Sequence, residues 1–446
     1  MTERFAVVGG GIAGLAAAWE LAARRPGAEI TVFEPGALGG KLRTSPFAGR
    51  MVDEGADAFL ARVPEGRDLC AELGLDAGLV SPATGGVYVA AGPQLHRLPE
   101  GLVLGVPVDG AQLEGSPLVG PDAAARVAAE PDRPGQPLGP DDDPSVGELI
   151  RARMGDDVLE HLVDPLIGGI NAGDTDRLSL RAAAPQLAAA AERSGSLVEG
   201  LRSAPPTGPP GAPVFWALPG GMTALVDALV AALHDAGVAF VGEAVDDVRS
   251  LGTDGVVVAT PAPAAASLVG AAGAADAAGI LAGIEHSSPV LLTLALPAAS
   301  VRHALDASGL LVPRTEGRLL TACSFASTKW AHLGDADPST VVLRASAGRT
   351  GDDRAIGLDD DALLAGLLAD LDDLLGLDGD PVEVRISRWR HGFPQYAPGH
   401  LGRIAAVEAD LAANLPRVRV AGASLHGIGI PACIRSGRAA AASLAA

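Results

Sequence analysis

Cysteine is scarce in this 446-residue chain. Cys70, Cys323 and Cys433 are few, odd in number and far apart, which supports neither a disulfide framework nor a zinc site. Lysine is scarcer: Lys41 and Lys329 stand alone among arginines, beside abundant Ala, Gly and Pro. That is the mark of a GC-rich coding sequence and carries no functional weight. Positive charge is outweighed, with a net charge of −21, which excludes a general nucleic-acid partner because phosphate binding needs a basic footprint. An anionic small substrate stays open, since a local arginine cluster can outweigh a distant negative surface. No stretch offers the roughly 18 apolar residues that span a bilayer. The most apolar candidate, 261–283, is broken by prolines and Asp276. The first strand is expected from about Phe5, which leaves no targeting signal, so a cytoplasmic protein with at most peripheral membrane contact is expected.

With 48% hydrophobic and 20% charged residues, the chain is ordered and long enough for more than one structural unit. The apolar run 5–8, a helical stretch 15–23 and the strand-like run 29–33 form a βαβ unit at the start. Residues 110–144, rich in Pro, Gly and Asp, read as an exposed and partly mobile connection. A single helix is expected over 145–166, with Ser145 as N-cap and Glu148 completing a capping box. More helix follows to about Arg202, and "SAPPTGPPGAP" separates it from a further α/β segment, 218–260. Strands "PVLLTLAL" and "STVVLRAS" and a helix over 359–375 give the middle a mixed pattern. The chain then closes on "VRVAGASLHGIGIPACIRSGR", a strand, a glycine-rich turn and a helix start.

Gly9-x-Gly11-x-x-Gly14 follows the first strand and opens its helix. Gly9 permits the tight turn, Gly11 lets a pyrophosphate approach the backbone, and Gly14 lets helix and strand pack closely. A pyrophosphate then sits on the unpaired N–H groups at the helix N-terminus, where the dipole favours negative charge. Glu34 ends the second strand 20 residues after Gly14, placed to accept a ribose 2′-OH and to repel a 2′-phosphate. The site binds a dinucleotide. There is no second GxGxxG of similar quality and no CxxC, which weighs against a pyridine-nucleotide disulfide reductase.

The glycine pair in "ALGGKLRT" and the later "MVDEGADAF" resemble the FAD-dependent amine-oxidase-like flavoproteins. Blocks 141–187, 322–330 ("ACSFASTKW"), 392–404 ("GFPQYAPGHLGRI") and 422–438 ("GASLHGIGIPACIRSGR") resemble one branch of these, the protoporphyrinogen and coproporphyrinogen oxidases of haem synthesis. Among them the soluble bacterial coproporphyrinogen III type is most similar. The resemblance implies a mixed α/β protein. Its Rossmann-like FAD-binding domain is discontinuous (1–66, 205–268 and 405–446). A mixed-sheet substrate domain (67–95 and 269–404) and a helical insertion (96–204, membrane-binding in relatives) complete it. It further implies oxidation of a porphyrinogen to a porphyrin in three two-electron steps, with molecular oxygen as acceptor and hydrogen peroxide as product. Transient contact with the next haem-pathway enzyme goes with that role.

Carried over by position, the cofactor contacts are Gly9, Gly10, Gly11, Ile12, Ala13, Gly14, Glu34, Lys41, Arg43, Gly55, Ala56, Asp57 and Ala58. Val245, Trp389, Ala423, Ile428, Gly429 and Ile430 complete the set. Backbone N–H groups near Ile428–Ile430 would favour negative charge on the reduced ring. Arg62 and Lys329 are the candidate substrate contacts, against plain readings as a solvated arginine and a lysine packed on Trp330. His391, His400 and His426 read as hydrogen-bonded loop histidines, Cys433 as packing, and no side-chain catalyst or metal site is assigned. Alternatives are protoporphyrinogen IX as substrate, a flavin amine oxidase, or a non-catalytic carrier of porphyrin. Against the amine oxidase, "SSPVLLTLALP" carries no lysine and aromatic content is 3%.

Overall fold

Short valine-rich runs with no polar face suit strands covered on both sides. In this computed structural model, which describes residues 2–205 and 211–445, five short strands rich in valine and other apolar residues meet in one parallel sheet. Its order across the sheet is Val418–Val420, Gly255–Val258, Arg4–Val8, Glu29–Phe33 and Ala239–Val241. Every neighbouring pair is parallel, with Val7 opposite both Val257 and Val32. Strands from the two ends and the middle of the sequence thus share one sheet. They belong to a compact unit made of Met1–Ser81, Gly211–Glu285 and His400–Ala446.

Two helices of this unit lie side by side, the opening helix Ile12–Arg24 and the closing helix Ile430–Leu444. Both are rich in alanine on the shared face, and Gly437 allows the closest approach. A Cβ at Gly437 would stand 2.0 Å from the Ala13 carbonyl oxygen. Leu444, at the end of the closing helix, reaches Gly255 at the start of its strand, so the helix runs antiparallel to the sheet. The opening helix, as the crossover of a parallel βαβ unit, does the same. Both N-termini therefore face the carboxyl ends of the strands. Ion pairs Arg438–Glu72 (2.6 Å) and Arg435–Glu65 (2.8 Å) tie the closing helix to the helix Pro64–Glu72. The Trp19 indole N–H donates to the same Glu72 at 2.8 Å.

The second unit, Pro82–Pro210 and His286–Gly399, carries a seven-stranded sheet. Val290–Pro297 lies between Thr340–Ala347 and Glu383–Arg388, antiparallel to both. Leu292, Leu294, Leu343 and Ala345 are buried with the helix Asp360–Leu375, which Asp359 caps by accepting the Ala362 N–H. The mixed α/β class is as expected, but three local readings need correction. The single helix over 145–166 is broken. Ser145 does cap a helix, Val146–Met154, by accepting the Glu148 N–H, but Gly155 at φ 92 ends it. The chain then runs through a π-helical stretch, Leu159–Gly168, around Pro165, whose missing N–H and ring bar a regular α-turn.

Residues 110–144 are not a loose connection. Pro121–Ala129 is a helix with proline in its first turn, and Leu113, Leu118 and Val127 are buried. The buried Glu130 carboxylate accepts the Ser196 hydroxyl and the N–H groups of Leu197 and Val198, capping a neighbouring helix. His400 is not a loop residue; it begins the helix His400–Asn414. The expected linker after Arg202 lies partly outside the described residues, at 206–210.

Gly→Ala inside a helix ordinarily stabilises by about 1 kcal/mol. Gly437→Ala should do the reverse, destabilising by about 1–3 kcal/mol in urea unfolding, because its methyl meets the Ala13 carbonyl.

Candidate functional site

Parallel sheets bind ligands beyond the carboxyl ends of their strands. Here those ends carry Gly9, Glu34, Thr260 and Gly422. Gly9 adopts φ 112, donates its N–H to the Phe33 carbonyl (2.8 Å), and has room for no side chain, since a Cβ would lie 2.7 Å from the Ala259 oxygen. Gly14 is needed for packing: its Cβ would lie 1.9 Å from the Gly9 oxygen. Gly11 is different. It caps the opening helix without any side-chain hydrogen bond, and a Cβ there would meet nothing within 4 Å. Ile12 and Ala13 are buried behind it. The result is a bare helix N-terminus facing open space, which suits a phosphate.

The Glu34 carboxylate is fixed by backbone on both oxygens, accepting from Gly10 N–H at 2.8 Å and from Gly36 N–H at 2.9 Å. Each oxygen keeps a lone pair for a hydroxyl. Gly39 and Gly40, both at positive φ, bring the next turn against the loop, with Gly39 N–H donating to the Gly10 carbonyl at 2.8 Å. Close by, the Thr260 hydroxyl is buried with no partner among the described residues.

The closing helix repeats the design. Gly427 (φ 133) turns the chain, and Gly429 caps Ile430–Leu444 without a side-chain hydrogen bond. Gly437 touches the first turn of the opening helix from seven residues further along its own helix than Ile430. At 1.5 Å per residue, the second N-terminus therefore stands roughly 10 Å beyond the first. Ala423, Ile428, Gly429 and Ile430 lie in or beside this second turn. Lys41, after the Gly39–Gly40 turn, lies within electrostatic reach of Cys433 in the closing helix. It is exposed, yet the protein crowding it lowers its ammonium pKa, against a smaller opposing effect of Cys433. Burial pushes the Cys433 thiol up to about 11, with Lys41 and Arg435 opposing.

The other expected contacts are placed as follows. Arg43 is exposed, 3.8 Å from Glu54. Gly55, Ala56, Asp57 and Ala58 follow the strand Arg50–Asp53, whose buried Asp53 accepts the Thr44 hydroxyl (2.5 Å) and the Met222 N–H (2.8 Å). Val245 lies beyond the strand Ala239–Val241, not within it, and packs on the outer cluster of the parallel sheet. Trp389 belongs to the second unit, its N–H donating to the Pro289 carbonyl at 3.0 Å. Arg62 is exposed in the turn after Phe59–Leu60. Lys329, in the second unit, holds its ammonium 4.8 Å from the centre of the Trp330 ring.

The buried His400 places Nε2 2.9 Å from the Leu425 carbonyl, and His426 stands 3.0 Å from Glu408. Among the described residues no group of three His, Cys, Asp or Glu could hold a metal ion. Sequence reasoning missed Gly437 and Thr260. A glycine inside an alanine-rich helix was the available signal for the first, whereas nothing local marked the second.

A family described as flavin containing amine oxidoreductase matches residues 12–445. The coproporphyrinogen III oxidase of Mycobacterium tuberculosis (strain ATCC 25618 / H37Rv) is 40% identical, over 98% of this chain and 97% of its own. That of Bacillus subtilis (strain 168) is 33% identical, over 97% and 96%. Arabidopsis thaliana protoporphyrinogen oxidase 2 is 26% identical, over 98% and 92%. Among solved structures, an Exiguobacterium protein provisionally assigned as a protoporphyrinogen oxidase superposes with TM-score 0.88 at 31% identity, over 100% of this chain and 99% of its own.

Gly11→Val should leave the unfolding midpoint of the ligand-free protein unchanged while abolishing dinucleotide binding, measured by retained cofactor after purification. Gly14→Val should cost the fold itself, since its Cβ has no room. Cys70 and Cys433, with pKa values pushed up to about 11 by burial, hold about one thiolate in a thousand at pH 8. Native protein should therefore leave a disulfide reagent uncoloured at pH 8 and release all three thiols once unfolded.

Proposed function

Because the chain belongs to the flavin containing amine oxidoreductase family, we propose that it oxidises coproporphyrinogen III to coproporphyrin III in haem biosynthesis, with FAD as cofactor. The structural observation that carries this reading is the pair of glycine-capped helix N-termini held side by side at one end of the sheet, one roughly 10 Å ahead of the other. One anion-binding end suits a nucleotide alone; two in tandem suit a dinucleotide whose second half is itself redox-active.

The N–H groups at the bare helix N-terminus beyond Gly11 would hold the pyrophosphate, and Glu34, already fixed by the Gly10 N–H, the adenosine ribose. Lys41 and the turn Ile428–Ile430 would flank the ring, and Arg43, residues 55–58, Val245, Trp389 and Ala423 complete the proposed contacts. Bound FAD supplies the electron acceptor; the protein's part is to orient the macrocycle and exclude competing chemistry. Arg62, exposed and without an ion-pair partner among the described residues, is free to meet a substrate carboxylate. Lys329 is the second proposed contact, competing with its stacking on Trp330. Molecular oxygen as acceptor, a cytoplasmic location and transient contact with the next haem-pathway enzyme are proposed with this role. No helix among the described residues is long and apolar enough to cross a membrane. The Arabidopsis relative's name makes protoporphyrinogen IX the second substrate to test.

Purified protein should be yellow, convert coproporphyrinogen III to a fluorescent porphyrin and consume oxygen. Faster turnover of protoporphyrinogen IX would move the assignment to that substrate, and faster turnover of a primary amine would overturn it. Arg62→Ala should raise the KM for coproporphyrinogen about tenfold with FAD content unchanged; lost flavin would instead place Arg62 at the cofactor.

A further inference from the structure

In the second unit, the end of the strand Thr340–Ala347 leads through Gly348 (φ 84) into Arg349, which is only 6% exposed. Its Nε is buried without a hydrogen-bond partner, and its Nη1 lies a long 3.4 Å from the Val312 carbonyl. Arg314 beside it spends Nη1 on the Thr350 carbonyl (3.1 Å) and Nη2 on that of Gly173 (2.8 Å), again leaving a buried Nε unpartnered. The nearby carboxylates are committed elsewhere. Asp352 is paired with Arg354 at 2.7 Å, and the buried Asp164 accepts the Thr175 hydroxyl at 2.7 Å. Among the described residues neither Arg314 nor Arg349 has an ion-pair partner.

The buried Arg349 guanidinium and the half-buried Arg314 therefore share the field of Asp164 and Asp352, of which Asp352 is already paired with Arg354. Such an excess is costly unless an anion completes it. Burial first, and then Arg314, lowers the Arg349 pKa, while Asp164 and Asp352 act against that shift. The loop above is clamped from the same place. The carbonyls of Asn171, Ala172 and Gly173 are held by Gln395 Nε2 (3.0 Å), Thr350 N–H (2.9 Å) and Arg314. Ala172 is thereby kept at φ 42, and the preceding Ile170 is 54% exposed. An exposed apolar side chain beside a loop clamped by the cation suits a flat ring system that carries carboxylate arms.

We propose that Arg349, supported by Arg314, is a carboxylate-binding subsite that receives one acidic side chain of the tetrapyrrole. This rests on the porphyrinogen reading above and adds a residue that reads the substrate's charge, distinct from Arg62. A bidentate contact through the guanidinium fork would satisfy Nε and one Nη together.

The test compares binding of coproporphyrin III with that of its tetramethyl ester to the FAD-loaded protein, by fluorescence titration. Arg349→Gln should weaken binding of the acid about tenfold or more, and that of the ester not at all, with FAD content unchanged. Arg349→Lys, which keeps the charge and loses the fork, should fall between. Unchanged binding of the acid in Arg349→Gln overturns the subsite. Equal loss of acid and ester also overturns it and leaves Arg349 a structural residue. Should Arg349→Gln not fold, the acid-to-ester ratio of Arg349→Lys decides by the same criteria. Wild-type protein that oxidises no porphyrinogen counts against the reaction itself; an active wild type with an unaltered ratio in the variant counts against this subsite alone.

Discussion

The contact between Gly437 and the Ala13 carbonyl is the constraint on which the first unit depends. Two helices can lie this close only where one offers no side chain, and the alanine-rich faces on either side extend that approach along both. The contact sets the axial offset of the two N-termini, and so the distance between two places where negative charge is welcome. It also explains why the unit needs both ends of the chain. The strand Val418–Val420 joins the sheet beside Gly255–Val258, and its helix then has a single direction in which to run. Neither terminal segment alone forms the site.

The second unit solves a different problem. Its sheet buries one face in leucine and alanine, whereas its other face includes Arg344 and Arg385, both in register with Thr293. Buried charge is expensive, so the arginines on this face are held at a cost that the leucine face does not carry. Arginine suits such a position because its planar fork stays charged and is less strongly hydrated than an ammonium. A chain with a net charge of −21 can thus still receive an acidic substrate, provided the cations lie inside and the acids outside.

Much of the first unit was legible because its signals are local. Gly9, Gly11 and Gly14 have separate duties that spacing alone reveals, and Glu34 follows at the distance set by one helix and one strand. The closing motif became readable only beside the opening one. What escaped was tertiary. Gly155 breaks a helix whose apolar periodicity continues past it, and Pro165 is accommodated by widening the helix, which periodicity cannot signal. Residues 110–144 looked loose because proline, glycine and aspartate also start helices and cap them, as Pro121 and the buried Glu130 show. That Arg349 lacks an ion-pair partner among the described residues depends on what the distant segments around Asp164, Gly173 and Arg314 do with their own partners, and no window of sequence contains that.

The most direct test of the two-ended site is a crystal structure of the FAD-loaded protein. The expected result places the pyrophosphate on the backbone N–H groups at Gly11 and the edge of the isoalloxazine ring at Ile428, Gly429 and Ile430, with Gly437 still against Ala13. A ring bound away from the closing helix, or a closing helix displaced from Ala13 when FAD is present, would contradict it.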